Sequence, residues 1–409
     1  MKLLLKFMDN PHNDFSTIHV AGTNGKGSVS LIIASVLQKA GYRVGRFISP
    51  HIHSYRERFS INGEEIEENI LVEYLNKIAN KIKELGPTFE GVTEFELLTA
   101  LAVQYFKDNK VDIAVLETGL GGLYDSTNIV NPVISVITGV DYDHQAYLGN
   151  TLEEIAFNKA GIIKPGIPVV VGDMDIRAFT VINNRAAQVK ARLFKASTCQ
   201  VQRLKSPSVS EGQTVSINYP GLIMRQVKFS LLGDFQLHNL AVAITALMVL
   251  KQRGYNFTAE HIVHALAFMH HPGRLEFISN KPPIVVDVAH NPQAAKSLAQ
   301  SLNTIYPSRQ RVLVCGILDD KDSMGILRQL GKNCRLGIIT RPESVRAVNW
   351  RRVAQDWQLL YPEKCLIIEE DIEEAVKAGI RLLRNGEYLL LAGSFCILDR
   401  ARSYFRYNL

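Results

Sequence analysis

A chain of 409 residues with 46% hydrophobic and 21% charged side chains has apolar content for roughly two or three packed domains, which excludes a disordered or fibrous protein. Its formal net charge of +6 is modest, and no run of Lys and Arg interleaved with aromatics marks a nucleic-acid track, so anionic small molecules are the expected partners and nucleic acid is not. No apolar stretch approaches the roughly 18 residues of a membrane span, and the 5 scattered cysteines form no C-x-x-C pair, which argues against a zinc site, a disulfide framework and a membrane partner and for a reducing, cytoplasmic setting.

The opening MKLLLKFMDN has too short an apolar run, broken by Lys6, for a secretory signal. Residues 17–21 then read as a short buried strand, 22–28 as a glycine-rich turn, and 29–40 as a helix that stops at Gly41. Strand, loop and helix in that order are the layout of a phosphate cradle. Glycines let several N–H groups face one anion, the helix start adds its positive dipole end, Lys26 adds a full charge, and Ser28 offers a hydroxyl to magnesium. The run G-T-N-G-K-G-S is shorter than the commoner Walker form and places Gly27 between lysine and hydroxyl; the plainer alternative is a glycine turn with an exposed lysine.

Further along, 43–48 reads as a strand ending in Ser49-Pro50-His51, 64–85 and 94–108 as helices, and 111–117 as a strand followed by a second glycine-rich loop, TGLGGLYDSTN. A strand over 133–138, the loop GVDYDHQAYLG, a helix over 151–159 and a strand over 167–171 complete an alternation that implies a parallel sheet covered on both faces. Ligands bind at the carboxyl ends of such strands, where Gly22, Ser49, Glu117 and His144 fall. Residues 196–235 have the broken texture of β-hairpins, helices follow over 238–253 and 258–269, and the apolar stretch 240–250 reads as a core helix. HHPGRLEF, 270–277, reads as a hinge, beyond which IVVDVAH, RVLVCGIL, RLGIIT, KCLIIEE and YLLLAG are strands of a second α/β domain.

Several side chains could carry chemistry. Glu117 closes an apolar strand beside the expected phosphates, where it could ligate magnesium or merely cap a helix. His144, flanked by Asp141 and Asp143, is a ligand or a structural loop histidine, and Ser49 a ligand or a turn hydroxyl. Lys159, late in its helix, reads by position as a solvated cation complementing the dipole. DVAHNP, 287–292, is either a helix cap with turn residues or part of a site, and DDKD, 319–322, lies at the same edge of its sheet.

Taken together and in order, IHVAGTNGKGS, FISPHIHSYRERFSINGEEI, TEFELLTALA, LETGLGGLYDSTN, DHQAYLGNTLEEIAFNKAGIIKPGIPVV, GDFQLHNLAVA, PGRLE, VVDVAHNP and GILDDKD resemble the folylpolyglutamate synthase and dihydrofolate synthase family of the Mur ligase superfamily. The resemblance implies a P-loop α/β domain over 1–274 and a smaller Rossmann-like α/β domain over 275–409, joined by a hinge near Pro272 with the active site in the cleft between them. It also implies a monomer whose substrates are ATP, L-glutamate and a folate or dihydropteroate. In the implied reaction the acceptor carboxylate attacks the γ-phosphate, giving an acyl phosphate that glutamate's amine then opens.

By the same resemblance Asn24, Gly25, Lys26, Gly27 and Ser28 hold the phosphates, and Asn239, Arg274 and Asp287 contact nucleotide. Ser28, Ser49, Glu117 and His144 ligate magnesium, with two ions expected, and Lys26, His144 and Lys159 are the catalytic set, Lys159 as a carbamate. Thr93, Glu94, Phe95, Glu96 and Tyr124 match positions that hold the pterin. Leu123 stands where the family usually has Arg, Asn158 where it usually has Glu, and Glu94 where it often has an aromatic, and the chain opens later than most relatives.

Overall fold

A computed structural model describes residues 1–84, 86 and 91–408, with side chains of the last helix as far as Phe405. The chain forms two compact units, one of Met1–Gln202, Val215–Lys228 and Leu237–Met269, the other of Arg203–Thr214, Phe229–Gln236 and His270–Leu409.

The first unit opens with a short helix α1 (Lys2–Phe7) and the strand β1 (Ser16–Ala21), followed by α2 (Lys26–Lys39) and β2 (Val44–Phe47). Next come β3 (Phe59–Ile61), β4 (Glu64–Glu65), α3 (Glu68–Glu84), α4 (Glu94–Asp108), β5 (Ile113–Glu117), β6 (Ile134–Ile137), α5 (Gln145–Leu148) and α6 (Leu152–Ala160). The strand β7 (Val169–Val171), the helix α7 (Ile176–Gln188) and β8 (Leu193–Lys195) finish an eight-stranded sheet of order β4-β3-β2-β5-β1-β6-β7-β8. Strands β1, β5 and β6 are buried along nearly their whole length, as continuous apolar runs are when helices cover both faces.

The parallel sheet expected from the sequence is present and is extended at one edge by β3, which pairs antiparallel with both β2 and β4. Asn62 and Gly63 both take left-handed backbone angles, the two-residue turn that an Asn-Gly pair favours between strands, so residues 64–65 are strand and the helix expected from Glu64 begins at Glu68. Leu85, the expected end of that helix, lies outside the described residues. The helix α7 had no counterpart in the sequence reading, because its buried stripe is only Ala178, Ile182 and Ala186.

A three-stranded sheet of order β11-β10-β9 is built from β9 (Gln200–Arg203), β10 (Gln213–Tyr219) and β11 (Leu222–Phe229), as the hairpin texture predicts. The helices α8 (Asp234–Gln252) and α9 (Ala259–Ala267) follow, and α8 buries Leu240, Val242, Ala243, Ile244, Leu247 and Leu250 as the expected core helix.

The second unit contains β12 (Glu276–Asn280), β13 (Pro283–Val286), α10 (Pro292–Ile305), β14 (Arg311–Cys315), α11 (Ser323–Leu330), β15 (Cys334–Ile339), α12 (Arg352–Leu360), β16 (Cys365–Ile368), α13 (Ile372–Arg381), β17 (Tyr388–Ala392) and α14 (Leu398–Asn408). Its sheet has the order β12-β13-β17-β14-β15-β16, parallel except for the β12–β13 pair. Its core packs Leu313, Leu390, Trp357 and Tyr388, and the buried Arg311 is satisfied by the Leu330 carbonyl at 3.0 Å and the Tyr388 hydroxyl at 3.2 Å. Among the described residues no helix is long and apolar enough to cross a membrane.

Candidate active site

In the first unit the parallel register aligns Val20 with Glu117 and Ala21 with Ile137, so β1, β5 and β6 end together and their loops share one edge. The loop after β1 is tightly held. Gly22 has φ +152, and a methyl group there would come within 1.9 Å of the Thr138 hydroxyl oxygen, which itself donates to the Asn24 carbonyl at 2.6 Å. Thr23 N–H donates to the Gly139 carbonyl at 2.9 Å. Gly25 takes φ +86, where a methyl would lie 2.3 Å from Asn239 Oδ1, so α8 presses its buried Asn239 against the loop.

Lys26 is the first residue of α2, three positions before the helix start expected from the sequence. Gly25 supplies no side-chain acceptor, so the helix start has no side-chain cap, and uncapped first-turn N–H groups suit an anion. Lys26 Nζ donates to the Gly22 carbonyl at 3.0 Å, folded over its own loop, and Ser28 is buried in the first turn.

Glu117 is only 4% exposed at the end of β5, and its carboxylate favours the charged form of Arg46 on neighbouring β2 against the cost of burial. Ser49 is half-buried just beyond β2. His144 has left-handed backbone angles, its N–H donates to Asp143 Oδ1 at 2.9 Å, and its ring Nε2 lies 3.9 Å from that oxygen. Among the described residues no three His, Cys, Asp or Glu side chains form a metal-binding cluster. One carboxylate, one imidazole and two hydroxyls suit magnesium, which keeps waters and substrate phosphates in its shell, better than a zinc cage.

Lys159 is 3% exposed, so its reading as a solvated helix-end cation is overturned. Burial first, then repulsion from the Lys26 ammonium, pushes its amine down to about 7, against the opposing pull of the Asp143 and Asp125 carboxylates. A buried amine that is substantially neutral near pH 7 is thus coupled to the P-loop lysine and to the two aspartates.

The second glycine loop lies against α4 and α6. A methyl at Gly119 would meet the Phe95 ring at 2.6 Å, and one at Gly122 would meet the Asn158 and Lys159 carbonyls at 3.0 Å. Leu123 N–H donates to the Asn158 carbonyl at 2.7 Å, and Asn158 Nδ2 donates to the Leu148 carbonyl at 3.0 Å. Tyr124 is 89% exposed.

Thr93 and Glu96 close a reciprocal capping box at the start of α4, and Glu96 also takes the Met1 ammonium at 2.9 Å; against the rise that partial burial causes, the Thr93 N–H and then the Met1 ammonium hold its carboxyl below the ordinary value. Glu94 accepts from the Tyr55 hydroxyl at 3.0 Å, and Phe95 stacks on Phe47 with ring centres 5.7 Å apart. The sequence reading missed Asp125, which accepts from Leu120 N–H at 2.8 Å and Thr127 N–H at 3.0 Å; its place in a D-S-T-N run is the turn signal that could have found it.

In the second unit Asp287 is 4% exposed and accepts from Leu275 N–H at 2.7 Å and Ala289 N–H at 2.8 Å. Burial raises its pKa, while the Arg274 guanidinium and His290 oppose the rise. Arg274 lies over the Phe395 ring at 5.4 Å. Asn291 caps α10 through Ala294 N–H at 2.9 Å with Pro292 first in the helix, and Asp322 caps α11.

Residues 20–247 match the Mur ligase middle domain, and residues 273–395 match the Mur ligase glutamate ligase domain. The chain is 37% identical to the dihydrofolate synthase/folylpolyglutamate synthase of Bacillus subtilis, over 81% of this chain and 77% of the relative. It is 39% identical to the folylpolyglutamate synthase of Lacticaseibacillus casei, over 78% and 75% respectively. The Mycobacterium tuberculosis folylpolyglutamate synthase solved with ADP and AMPPCP superposes with a TM-score of 0.93 at 29% identity, covering 99% of this chain and 94% of that one. With two domain matches in sequence order and relatives of this identity over most of their length, the chain belongs to the folylpolyglutamate synthase/dihydrofolate synthase family of Mur ligases.

Proposed function

We propose that the protein is an ATP-dependent ligase that joins L-glutamate to the carboxylate of a folate, of dihydropteroate, or of both. The observation that carries this reading is the pairing of the uncapped P-loop helix, headed by Lys26, with a buried Lys159 amine pushed down to about 7. The chemistry needs positioning and charge neutralisation rather than a covalent nucleophile. The acceptor carboxylate attacks the γ-phosphorus as ADP leaves, and the neutral glutamate amine then attacks the acyl carbon, expelling phosphate and losing a proton.

The chain's own groups meet these needs in turn. The first N–H groups of α2 and the Asn24–Ser28 loop take the phosphates, and Lys26 exchanges the Gly22 carbonyl for a phosphate oxygen. Ser28, Ser49, Glu117 and His144 are the residues that would hold magnesium, as two ions. Bound there, magnesium neutralises phosphate charge as the phosphoryl group transfers. Thr93, Glu94, Phe95, Glu96 and Tyr124 are assigned to the pterin side, Asn239 to the nucleotide, and Arg274 and Asp287 to the second unit's nucleotide contacts. We assign the protein to the cytoplasm as a monomer.

Lys159 is assigned as a carbamate. Its neutral amine attacks the carbon of carbon dioxide, an N–C bond forms, and one proton passes to solvent, leaving an anion where an ammonium would repel magnesium. The Lys26 ammonium, which opposes a charged Lys159 amine, attracts that anion.

ADP release by the purified protein, measured with ATP, magnesium and glutamate against dihydropteroate, tetrahydrofolate and a uridine-linked sugar peptide in parallel, tests the reading. Release with one or both pteridine acceptors and none with the uridine-linked one is expected; the reverse pattern would move the chain to another branch of the ligases. In the same assay Glu117→Ala and His144→Ala should each raise the magnesium concentration for half-activity about tenfold or more, since each removes one of few protein ligands. Unchanged titrations in both would remove these residues from the metal.

A further inference from the structure

Strand β1 carries a buried histidine, His19, three residues before Gly22 of the P-loop. His19 Nε2 lies 2.8 Å from Thr127 Oγ1, and Nδ1 is buried without a hydrogen-bond partner among the described residues. Thr127 Oγ1 in turn lies 2.5 Å from Asp125 Oδ1. A carboxylate only accepts, so the threonine hydroxyl donates to Asp125 and is left to accept from the histidine. That fixes the tautomer with the proton on Nε2, and the bare Nδ1 is then a lone pair rather than an unmet N–H. Burial, with a smaller push from the Lys164 ammonium, lowers the imidazole pKa to about 3, so the ring stays neutral across the working range.

Beyond the hydroxyl, the chain of bonds organises the whole second glycine loop. Asp125 also gathers Leu120 N–H and Thr127 N–H, Ser126 Oγ lies 2.6 Å from Thr99 Oγ1 on α4, and Asn128 Nδ2 donates to the Leu123 carbonyl at 3.0 Å and to the Gly161 carbonyl at 3.2 Å beyond α6. Through His19 this loop is tied to the strand that delivers the P-loop.

We propose that His19, acting through Thr127, is a positioning residue that sets the second glycine loop, and with it Tyr124, for the pteridine acceptor. The inference rests on the assignment of that loop to the acceptor side of the ligase reaction. No group of this pair meets a substrate. The Nε2–H donor fixes the direction of the threonine hydroxyl, and the hydroxyl fixes Asp125 at the turn from which Tyr124 projects.

Kinetics of the full-length protein separate this role from a general structural one. Thr127→Val and His19→Leu remove the bond, whereas Thr127→Ser keeps the hydroxyl and His19→Gln keeps a donor close to the Nε2 position. The first pair is expected to raise the acceptor KM about tenfold, with the KM values for ATP and glutamate within twofold of the parent, and the second pair to restore the acceptor KM. Should one of the disruptive variants fail to fold, the other and the two conservative variants still read the split. An acceptor KM unchanged in both disruptive variants, a parallel rise in all three KM values, or failure of both conservative variants to restore it overturns the proposal. A parent protein that releases no ADP with either pteridine acceptor overturns instead the functional reading on which it stands.

Discussion

Lys159 carries an amine at about 7 in the fold against 10.5 for a free lysine, with burial the first cause and Lys26 the second. The depressed value means that the folded state resists the proton. The stability contributed by a neutral Lys159 is therefore complete above the unfolded value of 10.5 and is lost as pH falls through about 7. In carbon dioxide-free buffer, Lys159→Met should raise the thermal midpoint most below pH 7 and progressively less toward pH 10, and a pH-independent difference would contradict the buried-amine reading. Activity gives the second readout: the parent should lose turnover in carbon dioxide-free buffer at mildly acidic pH and regain it with bicarbonate, whereas a fully active Lys159→Arg would eliminate the carbamate. The environment of this residue was not legible from position alone. A lysine late in a helix is ordinarily solvated, and only the packing of α6 beneath the second glycine loop, with Gly122 on the Lys159 carbonyl, shows the burial.

At the scale of elements, the P-loop was legible because its mechanism requires a strand before it, a helix after it and glycines between, and all three leave sequence signals. Its helix begins earlier than expected because Gly25 adopts the left-handed angles of a residue outside the helix, which leaves Lys26 as the first residue inside. The edge hairpin was misread for the opposite reason: the acidic run after Gly63 resembles a helix start, and the Asn-Gly turn outweighs it. Gly25→Ala tests the loop geometry. A methyl group would oppose φ +86 and crowd Asn239 Oδ1 at 2.3 Å, so the variant should raise the KM for ATP about tenfold or more. Adding Asn239→Gly should relieve the crowding but not the backbone strain, recovering little. A Gly25→Ala protein with the parent's ATP kinetics would show that the loop is not held as described.

For the whole molecule, the alternation of strands and helices and the change of texture after residue 196 are enough to imply two α/β units with a hairpin region before the second. What the chain pattern could not show is that residues 203–214 and 229–236 group with the second unit, because contact between segments far apart in sequence leaves no local periodicity. The ordered set of loops at the carboxyl ends of the strands was legible as a set, since each loop follows an apolar strand, whereas the bonds that fix them, such as Thr138 to the Asn24 carbonyl, join distant segments and were not. The central claim is that the acceptor carboxylate is activated by phosphoryl transfer, and isotope transfer tests it most directly. With oxygen-18 in both oxygens of the acceptor's reacting carboxylate, the protein, ATP, magnesium and glutamate should release phosphate carrying one labelled oxygen for each amide formed. Amide formation accompanied by unlabelled phosphate would contradict an acyl-phosphate ligase.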